Sequence, residues 1–317
     1  TVGAGAGATP FHLSGPVWLT GPYKGAPLGL AVAIRAVAGP YDLGTVVVRQ
    51  ALHVDPTTAA VTAVSDPLPS ILEGIPLRIR TVDVTIDRPG FTVNPTSCAE
   101  RRIAGALSST AGATHQAGVR FQVGDCASLG FGPKLSLRLK GGTKRAAHPR
   151  LQAVLRQPAG QANIDRVSVA LPRSVFLEQA HIRTVCTRVQ YAAGNCPAGS
   201  VYGYARAFSP LLDEPLQGPV YLRSSDNKLP DLVASLDGQI HIDLVGRIDS
   251  VRGGIRTTFE RVPDAPVSRF VLQMKGGKKS LLVNSTNLCR GKHRAAVKMT
   301  GQNGKRRSSA PGLRTDC

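Results

Sequence analysis

The cysteines of this 317-residue chain constrain its fold more than any other feature. Cys98 and Cys126 lie 28 positions apart, and Cys289 and Cys317 have the same spacing. The flanks also match, because Val-Asn-x-Thr precedes the first cysteine of each pair and Asp precedes the second. Matching spacing with matching flanks indicates one hairpin-like unit used twice. Each copy of this unit is predicted to be closed by its own disulfide.

The two remaining cysteines, Cys186 and Cys196, are then predicted to pair across a short loop. Zinc sites and thioredoxin-like redox centres are rival uses of cysteine, but both need closely spaced ligands or a Cys-x-x-Cys motif. Neither pattern occurs in the sequence. An even number of cysteines in local pairs is typical of an oxidising compartment. The expected location is therefore secreted, at the extracellular cell surface.

A further internal repeat predicts the domain organisation. Gly-Pro-Val-Trp-Leu at 15–19 recurs as Gly-Pro-Val-Tyr-Leu at 218–222, and both copies lead towards a Val-Asn-x-Thr segment and a cysteine pair. Three modules are predicted: a first copy at 1–133 with the Cys98–Cys126 unit, an intervening β module at 134–199 with the Cys186–Cys196 loop, and a second copy at 200–317 with the basic Cys289–Cys317 unit.

The start of the chain differs between the two copies. In the second copy, Cys186 and Cys196 lie just ahead of the segment that corresponds to Thr1, and the first copy lacks this lead-in. The chain also opens without Met or a signal peptide. We expect either a fragment of a longer repeat array or a module that receives a partner strand from another molecule.

The pattern of apolar residues favours strands over helices. Short apolar or alternating runs are separated by turns rich in the 34 glycines and 23 prolines, which long helices tolerate poorly. The predicted fold is all-β, with tandem antiparallel β-sandwich modules of immunoglobulin-like architecture and disulfide-pinned hairpins. The predicted strands are 28–36, 45–51, 77–86, 135–139, 167–171 and 240–245, and a short helix is predicted at 176–182.

No motif for catalysis or metal binding is present. The sequence has neither Gly-x-Ser-x-Gly nor His-Glu-x-x-His, and its seven histidines are scattered. His53 with Asp55 and His241 with Asp243 share a strand face, but no nucleophile accompanies them. The glycine-rich start at 3–7 does not follow a strand as a phosphate-binding loop would, and is predicted to be a small-residue strand or linker. We therefore expect no enzyme, no cofactor, no metal and no catalytic residue.

The formal net charge of +19 indicates either an anionic partner or a solvated basic surface. Aromatic residues do not interleave with the lysines, so specific nucleic-acid binding is not expected, and no apolar stretch is long enough to span a membrane. The candidate residues for binding an anionic polymer are Lys275, Lys278, Lys279, Arg290, Lys292, Arg294, Lys298, Lys305, Arg306 and Arg307.

Two longer strings carry a family resemblance. Leu-Thr-Gly-Pro-Tyr-Lys-Gly-Ala-Pro at 19–27 and Asp-Arg-Pro-Gly-Phe-Thr-Val-Asn-Pro-Thr-Ser-Cys at 87–98 resemble uncharacterised large secreted β-repeat proteins of high-GC actinobacteria. The resemblance extends over nearly the whole chain. It implies an exported protein with tandem β modules, and it implies no activity, cofactor or catalytic residue.

Three functions are compatible with these features. The leading hypothesis is an extracellular structural or adhesive protein, a subunit of a surface filament that binds other copies of itself through its N-terminal strand. The second is a binding module for an anionic polysaccharide or cell-wall polymer. The third is a hydrolase with a non-standard site.

Overall fold

The computed structural model describes residues 1–5, 9–251 and 254–317, and its regular structure is almost entirely β. This confirms the predicted all-β class. The described chain forms two compact units: unit 1 comprises Thr1–Asp55 and Ala60–Val93, and unit 2 comprises Pro56–Ala59 and Asn94–Cys317. The intervening segment at 134–199, predicted as a module of its own, contributes β12, β13 and β14 to the same sheet as strands of the second copy.

Unit 1 contains three small sheets, in the orders β2-β1-β9, β3-β4-β5-β6 and β7-β8. Its strands are β1 (Val2–Ala4), β2 (Phe11–Leu13), β3 (Val17–Thr20), β4 (Leu28–Ala38), β5 (Tyr41–Val54), β6 (Val61–Ser65), β7 (Ile71–Leu72), β8 (Ile75–Pro76) and β9 (Ile79–Val82).

Unit 2 contains the remaining strands and the helical turns. The strands are β10 (Arg101–Ser108), β11 (Thr114–Phe121), β12 (Lys134–Lys140), β13 (Arg150–Arg156), β14 (Ile164–Ala170), β15 (Val175–Leu177), β16 (Val201–Phe208), β17 (Leu216–Arg223), β18 (Asp231–Leu236), β19 (Ile242–Val251), β20 (Gly254–Phe259), β21 (Arg269–Met274), β22 (Leu282–Asn284), β23 (Ala296–Gly301), β24 (Arg306–Ser309) and β25 (Leu313–Thr315). The α-helix is α1 (Arg188–Ala192), and the 3-10 turns are Cys126–Ser128, Gln179–His181, Ala198–Ser200 and Gly277–Lys279.

One twelve-stranded sheet organises unit 2. Its order is β24-β23-β14-β20-β19-β18-β17-β16-β21-β13-β12-β25, and neighbours are antiparallel except for β12 and β25. Leu137 of β12 lies in the same core cluster as Val167 of β14 and Val297 of β23, near the opposite end of this order. The sheet is therefore rolled so that its two ends pack face to face. A larger cluster, which includes Tyr202, fills the space under the middle strands.

The two repeat copies contain sheets with the same register. Val17 pairs with Val32 in β3 and β4, and the corresponding Val220 pairs with Ala234 in β17 and β18. A glycine lies two residues before the paired valine in each copy, because the backbone of the next strand comes very close there. A Cβ on either Gly15 or Gly218 would lie 1.9 Å from a carbonyl oxygen of the next strand, so no larger residue fits.

The strands predicted at 28–36, 45–51 and 135–139 fall within β4, β5 and β12, and those predicted at 167–171 and 240–245 overlap β14 and β19. The strand predicted at 77–86 is wrong beyond Val82, where β9 ends. Val84 and Ile86 are about half exposed, so the alternating pattern there has no neighbouring layer to cover it. Of the glycine-rich start, β1 covers Val2–Ala4, and residues 6 and 7 lie outside the described residues.

The short turn of helix predicted at 176–182 is observed only in part. Its first residues belong to β15, which pairs with β22, and a 3-10 turn follows. Helix α1 lies instead within the following cysteine loop. Its N-terminus has a capping box in which Thr187 and Gln190 each bond the backbone of the other.

The structure has disulfides between Cys98 and Cys126, Cys186 and Cys196, and Cys289 and Cys317. The same three pairs were expected from the repeated spacing. Three disulfides indicate an oxidising environment. Within the described ranges, no helix is both long and apolar enough to cross a lipid bilayer.

Candidate functional site

One surface of the twelve-stranded sheet carries a dense group of cations. It is formed by five adjacent strands: β25, β12, β13, β21 and β16. These strands contain no aspartate or glutamate. Their lysine and arginine side chains are all exposed, and together they are named the basic face: Lys134, Arg138, Lys140, Arg150, Arg156, Arg206, Arg269 and Arg314.

The alternation of side chains in a strand explains why these cations share one surface. In β12, Leu137 and Leu139 are almost completely buried in the core. Successive side chains in a strand point to opposite faces, so Arg138 and Lys140 must point to solvent. The same alternation in β16 buries Ala205 and exposes Arg206.

Cations on the basic face lie directly opposite other cations across neighbouring strands. Like charges in this position destabilise a sheet unless an anion compensates them. Every cation of the face except Arg206 is in such an arrangement. The opposed groups are Lys134 with Arg156, Arg156 with Arg269, Lys140 with Arg150, and Arg138 with Arg314.

Carboxylates compensate this charge only at one edge. Within the described residues, Arg138 alone among these cations is ion-paired, with Asp316 at 2.5 Å. The hydrogen bond from Arg138 holds the pKa of Asp316 below its usual range. Two other guanidinium groups are oriented by neutral neighbours: Arg206 donates to Gln217 at 2.7 Å, and Arg269 lies 3.9 Å from the ring centroid of Phe208.

Neutral polar groups lie between the cations. Gln152 of β13 is opposite Gln273 of β21, which is opposite Tyr204 of β16. The Tyr204 side chain is 56% exposed, and the Lys275 ammonium lies 5.6 Å from its ring centroid. Amides and a phenol can bind hydroxyl groups, and guanidinium groups bind carboxylate, sulfate or phosphate oxygens in pairs. The face therefore has the chemistry to hold an extended, hydroxyl-rich anion.

The basic residues that were predicted from the sequence to bind an anionic polymer lie outside the basic face. Lys298 is on β23, Arg306 and Arg307 are on β24, and Arg290, Lys292 and Arg294 lie in the loop before β23. The nearest to the basic face is Lys275, which directly follows β21. Four of the predicted cations donate to backbone carbonyls: Lys275 to Val201, Lys279 to Gly199, Lys305 to Leu129, and Arg294 to Ala310. Lys278 is exposed in the Gly277–Lys279 turn.

Cations on the opposite part of the sheet contrast with the basic face. Arg166 pairs with Glu260 at 2.9 Å. Arg247 and Arg256 both contact the carboxylate of Asp249, at 3.0 and 2.9 Å. The three strands that carry these arginines, β14, β19 and β20, therefore have ordinary charge compensation, unlike the strands of the basic face.

The paired histidine and aspartate at 241 and 243 belong to a polar chain. The His241 ring lies 2.6 Å from Asp237 and 3.2 Å from Asp243, and Asp243 accepts a hydrogen bond from the Tyr191 hydroxyl. Burial, followed by the hydrogen bond to Asp243, raises the pKa of Tyr191. A tyrosine held in its protonated form is a poor base. Because Tyr191 lies on α1, this chain fastens the cysteine loop to the sheet.

The other histidine that shares a strand face with an aspartate in the sequence is His53. His53 lies exposed on β5. In the ranges that the structure covers, no group of three or more histidine, cysteine, aspartate or glutamate side chains is arranged to hold a metal ion.

The sequence contains a signal for the basic face that the search for charge runs missed. In β12, Lys-Leu-Ser-Leu-Arg-Leu-Lys alternates cations or serine with leucine at every second position. That pattern identifies an exposed basic strand face. The partners Arg156, Arg206 and Arg269 are dispersed along the chain, and only the order of the strands brings them together.

No protein-family model matches this chain, and no curated protein is significantly similar to it.

Proposed function

We propose that the protein is a secreted, non-enzymatic adhesive protein of the cell surface that binds an anionic polysaccharide or cell-wall polymer through its basic face. One observation carries the proposal: cations lie opposite cations across four adjacent strands, β25, β12, β13 and β21, that contain no carboxylate. A bound polyanion would remove this repulsion and gain charge-assisted hydrogen bonds.

The neutral groups of the face favour a polysaccharide over a nucleic acid. Single-stranded nucleic acids are usually held by several aromatic side chains on which bases stack. On the basic face, Tyr204 is the exposed aromatic side chain, whereas glutamines lie beside the cations. The three disulfides support an extracellular setting, and the resemblance to secreted actinobacterial repeat proteins agrees with it. Tandem immunoglobulin-like sandwiches are the module arrangement that we propose with this function.

The test is retention of the intact protein on immobilised heparin, with Arg156→Glu/Arg269→Glu as the variant. The variant is expected to elute at much lower salt and to bind on the order of tenfold more weakly, since two opposed cations become anions. The matched control is Arg306→Glu/Arg307→Glu, which makes the same change of net charge on β24, a strand outside the five that form the basic face.

Equal loss of heparin binding in both variants would refute the proposal, because binding would then follow net charge alone. A uronic-acid polymer and single-stranded DNA serve as competing probes. Stronger competition by the DNA at equal charge would assign the face to nucleic acid instead.

A second candidate function is structural, as a subunit that assembles by strand addition. It is favoured by a difference in burial between two equivalent strands, β6 and β20.

A further inference from the structure

Strands β6 and β20 occupy the same place in the two sheets of shared register. Gln50 of β5 pairs with Ser65 of β6, and the corresponding Gly246 of β19 pairs with Phe259 of β20. Their exposure is very different. Every residue of β6 is exposed, whereas Gly254, Ile255 and Thr258 of β20 are buried. Strand β20 is therefore covered by structure that β6 does not have among the described residues.

Strand β14 supplies this cover in the second copy. It pairs antiparallel with the edge of β20 that faces away from β19, with Val167 opposite Phe259 and Val169 opposite Thr257. Val167 is buried, and Val169 packs against the same core cluster. One strand thus completes both the hydrogen bonding and the apolar packing of β20.

The outer edge of β6 is open to the same kind of pairing. In the described part of the chain, β6 pairs with β5 alone. The Asp66 N–H bonds the Arg49 carbonyl across this pair, and alternation along an antiparallel ladder then directs the Ala63 N–H outward. Natural edge strands are usually protected by charge, proline or a bulge. The β6 sequence, Val-Thr-Ala-Val-Ser, has none of these protections.

The sheet of unit 1 also has an apolar face that is only partly buried. Leu19 is 52% exposed, whereas its counterpart Leu222 in the second copy is completely buried. The described part of unit 1 buries alanines such as Ala36 and Ala51, but no larger side chain. The same sheet register thus has a fully buried core in one copy and a partly exposed apolar surface in the other.

We propose that the outer edge of β6 is an acceptor site for a β-strand of the β14 type, donated by another module of this repeat. The donor adds antiparallel to β6, as β14 does to β20, and its alternate valines extend the apolar face beyond β6. The argument for this occupant is the second copy, in which the equivalent edge holds such a strand. The inference rests on the structural function proposed second, and is independent of polymer binding.

The test uses the intact chain and a synthetic peptide of residues 162–172, which contains β14 and its flanks. Hydrogen exchange at β6 is the readout. The peptide is expected to slow exchange of the Ala63 and Ser65 amides, because both become hydrogen-bonded. A peptide with aspartate in place of both Val167 and Val169 is the control and should give no protection.

Two chain variants test the site itself. Ala63→Pro removes an outward N–H that bonds no other strand, so the fold should persist while protection by the peptide is lost. Ala63→Val keeps the N–H and is the matched control. Val61→Lys leaves the backbone unchanged. It is expected to weaken binding of the peptide, because it places a charge on the edge strand.

Absence of protection in the wild-type chain, or equal protection in Ala63→Pro, would overturn the proposal. Heparin retention of the same variants separates the two functions, since changes at β6 leave the basic face intact. Loss of peptide binding with unchanged retention is the expected combination.

Discussion

At the scale of single residues, the side chain of Asp264 links separate segments of unit 2 through the hydrogen bonds that it accepts. It accepts hydrogen bonds from the Thr96 backbone and hydroxyl groups, at 3.1 and 2.8 Å, from the Ser97 N–H at 2.9 Å and from the Asn163 amide at 2.9 Å. Its side chain is only 11% exposed, and Arg101 lies 3.8 Å away. One side chain thus fixes the segment that leads into the Cys98–Cys126 unit.

Replacing this carboxylate should be costly. Asp264→Ala is expected to lower the free energy of unfolding by about 2–4 kcal/mol, since it leaves several buried donors without an acceptor. Urea unfolding of the intact chain measures this change in the free energy of unfolding. Asp264→Asn keeps the shape and one acceptor oxygen and should lose less. Equal stability of Asp264→Ala and wild type would show that the donors find other acceptors.

Removal of the Tyr191 hydroxyl should also lower the stability of the fold measurably. Tyr191→Phe deletes the hydrogen bond to Asp243 but keeps the ring beside Tyr221, so a loss of about 1–2 kcal/mol is expected. Hydrogen exchange should increase first in the Cys186–Cys196 loop. An unchanged exchange rate there would mean that the disulfide alone holds the loop.

At the scale of elements, the two bridged hairpins differ in their surroundings. The β10–β11 hairpin is exposed along both strands, and Ile103 and Val119 are about 60% exposed on one face. In the other hairpin, β23 pairs with β14 as well as β24, and Val297 is buried. An isolated two-stranded hairpin is only marginally stable in water.

Removing the disulfides should therefore have unequal effects. Cys98→Ser/Cys126→Ser is expected to release the β10–β11 amides to fast exchange while the twelve-stranded sheet stays protected. Cys289→Ser/Cys317→Ser should leave β23 protected, because β14 still holds it. If β23 were released as readily as β10, the sheet pairing would not be its main support.

The elements also show how far the sequence can be interpreted. Alternation located β12, because its leucines are packed in a core, and apolar runs between turn residues located β4 and β5. The same pattern failed at Val84, where nothing covers the strand. Helix α1 was missed because its signal is a Thr187–Gln190 cap and not an apolar stripe.

The candidate site was harder to predict than the fold. Cations that are consecutive in the sequence, such as Lys305 to Arg307, are easily recognised as a candidate binding site. The basic face joins Lys134, Arg156 and Arg269, which become neighbours only through the order of the strands. The alternation of β12 is visible in the sequence, but the pairing of cations across strands is not, because it depends on the order of the strands.

At the scale of the whole molecule, the net charge of +19 should make stability depend on ionic strength. Repulsion among like charges is screened by salt, with a Debye length of about 10 Å at 0.1 M. We expect the thermal midpoint to rise between low and moderate sodium chloride concentration, and to rise further with a polyanion at fixed ionic strength. Differential scanning calorimetry measures both. A midpoint that falls with salt would mean that attractive ion pairs outweigh the repulsion.

The parallel pairing of β12 with β25 has a consequence for how the chain reaches its fold. Arg138 and its partner Asp316 are 178 positions apart, and β12 has only β13 as a neighbour until β25 arrives. During synthesis or export, the growing chain therefore carries an incomplete edge at β12 through nearly all of its later strands. Pairing between distant segments slows folding and prolongs the exposure of such edges. Assistance during maturation would matter most in that interval, before β25 pairs with β12.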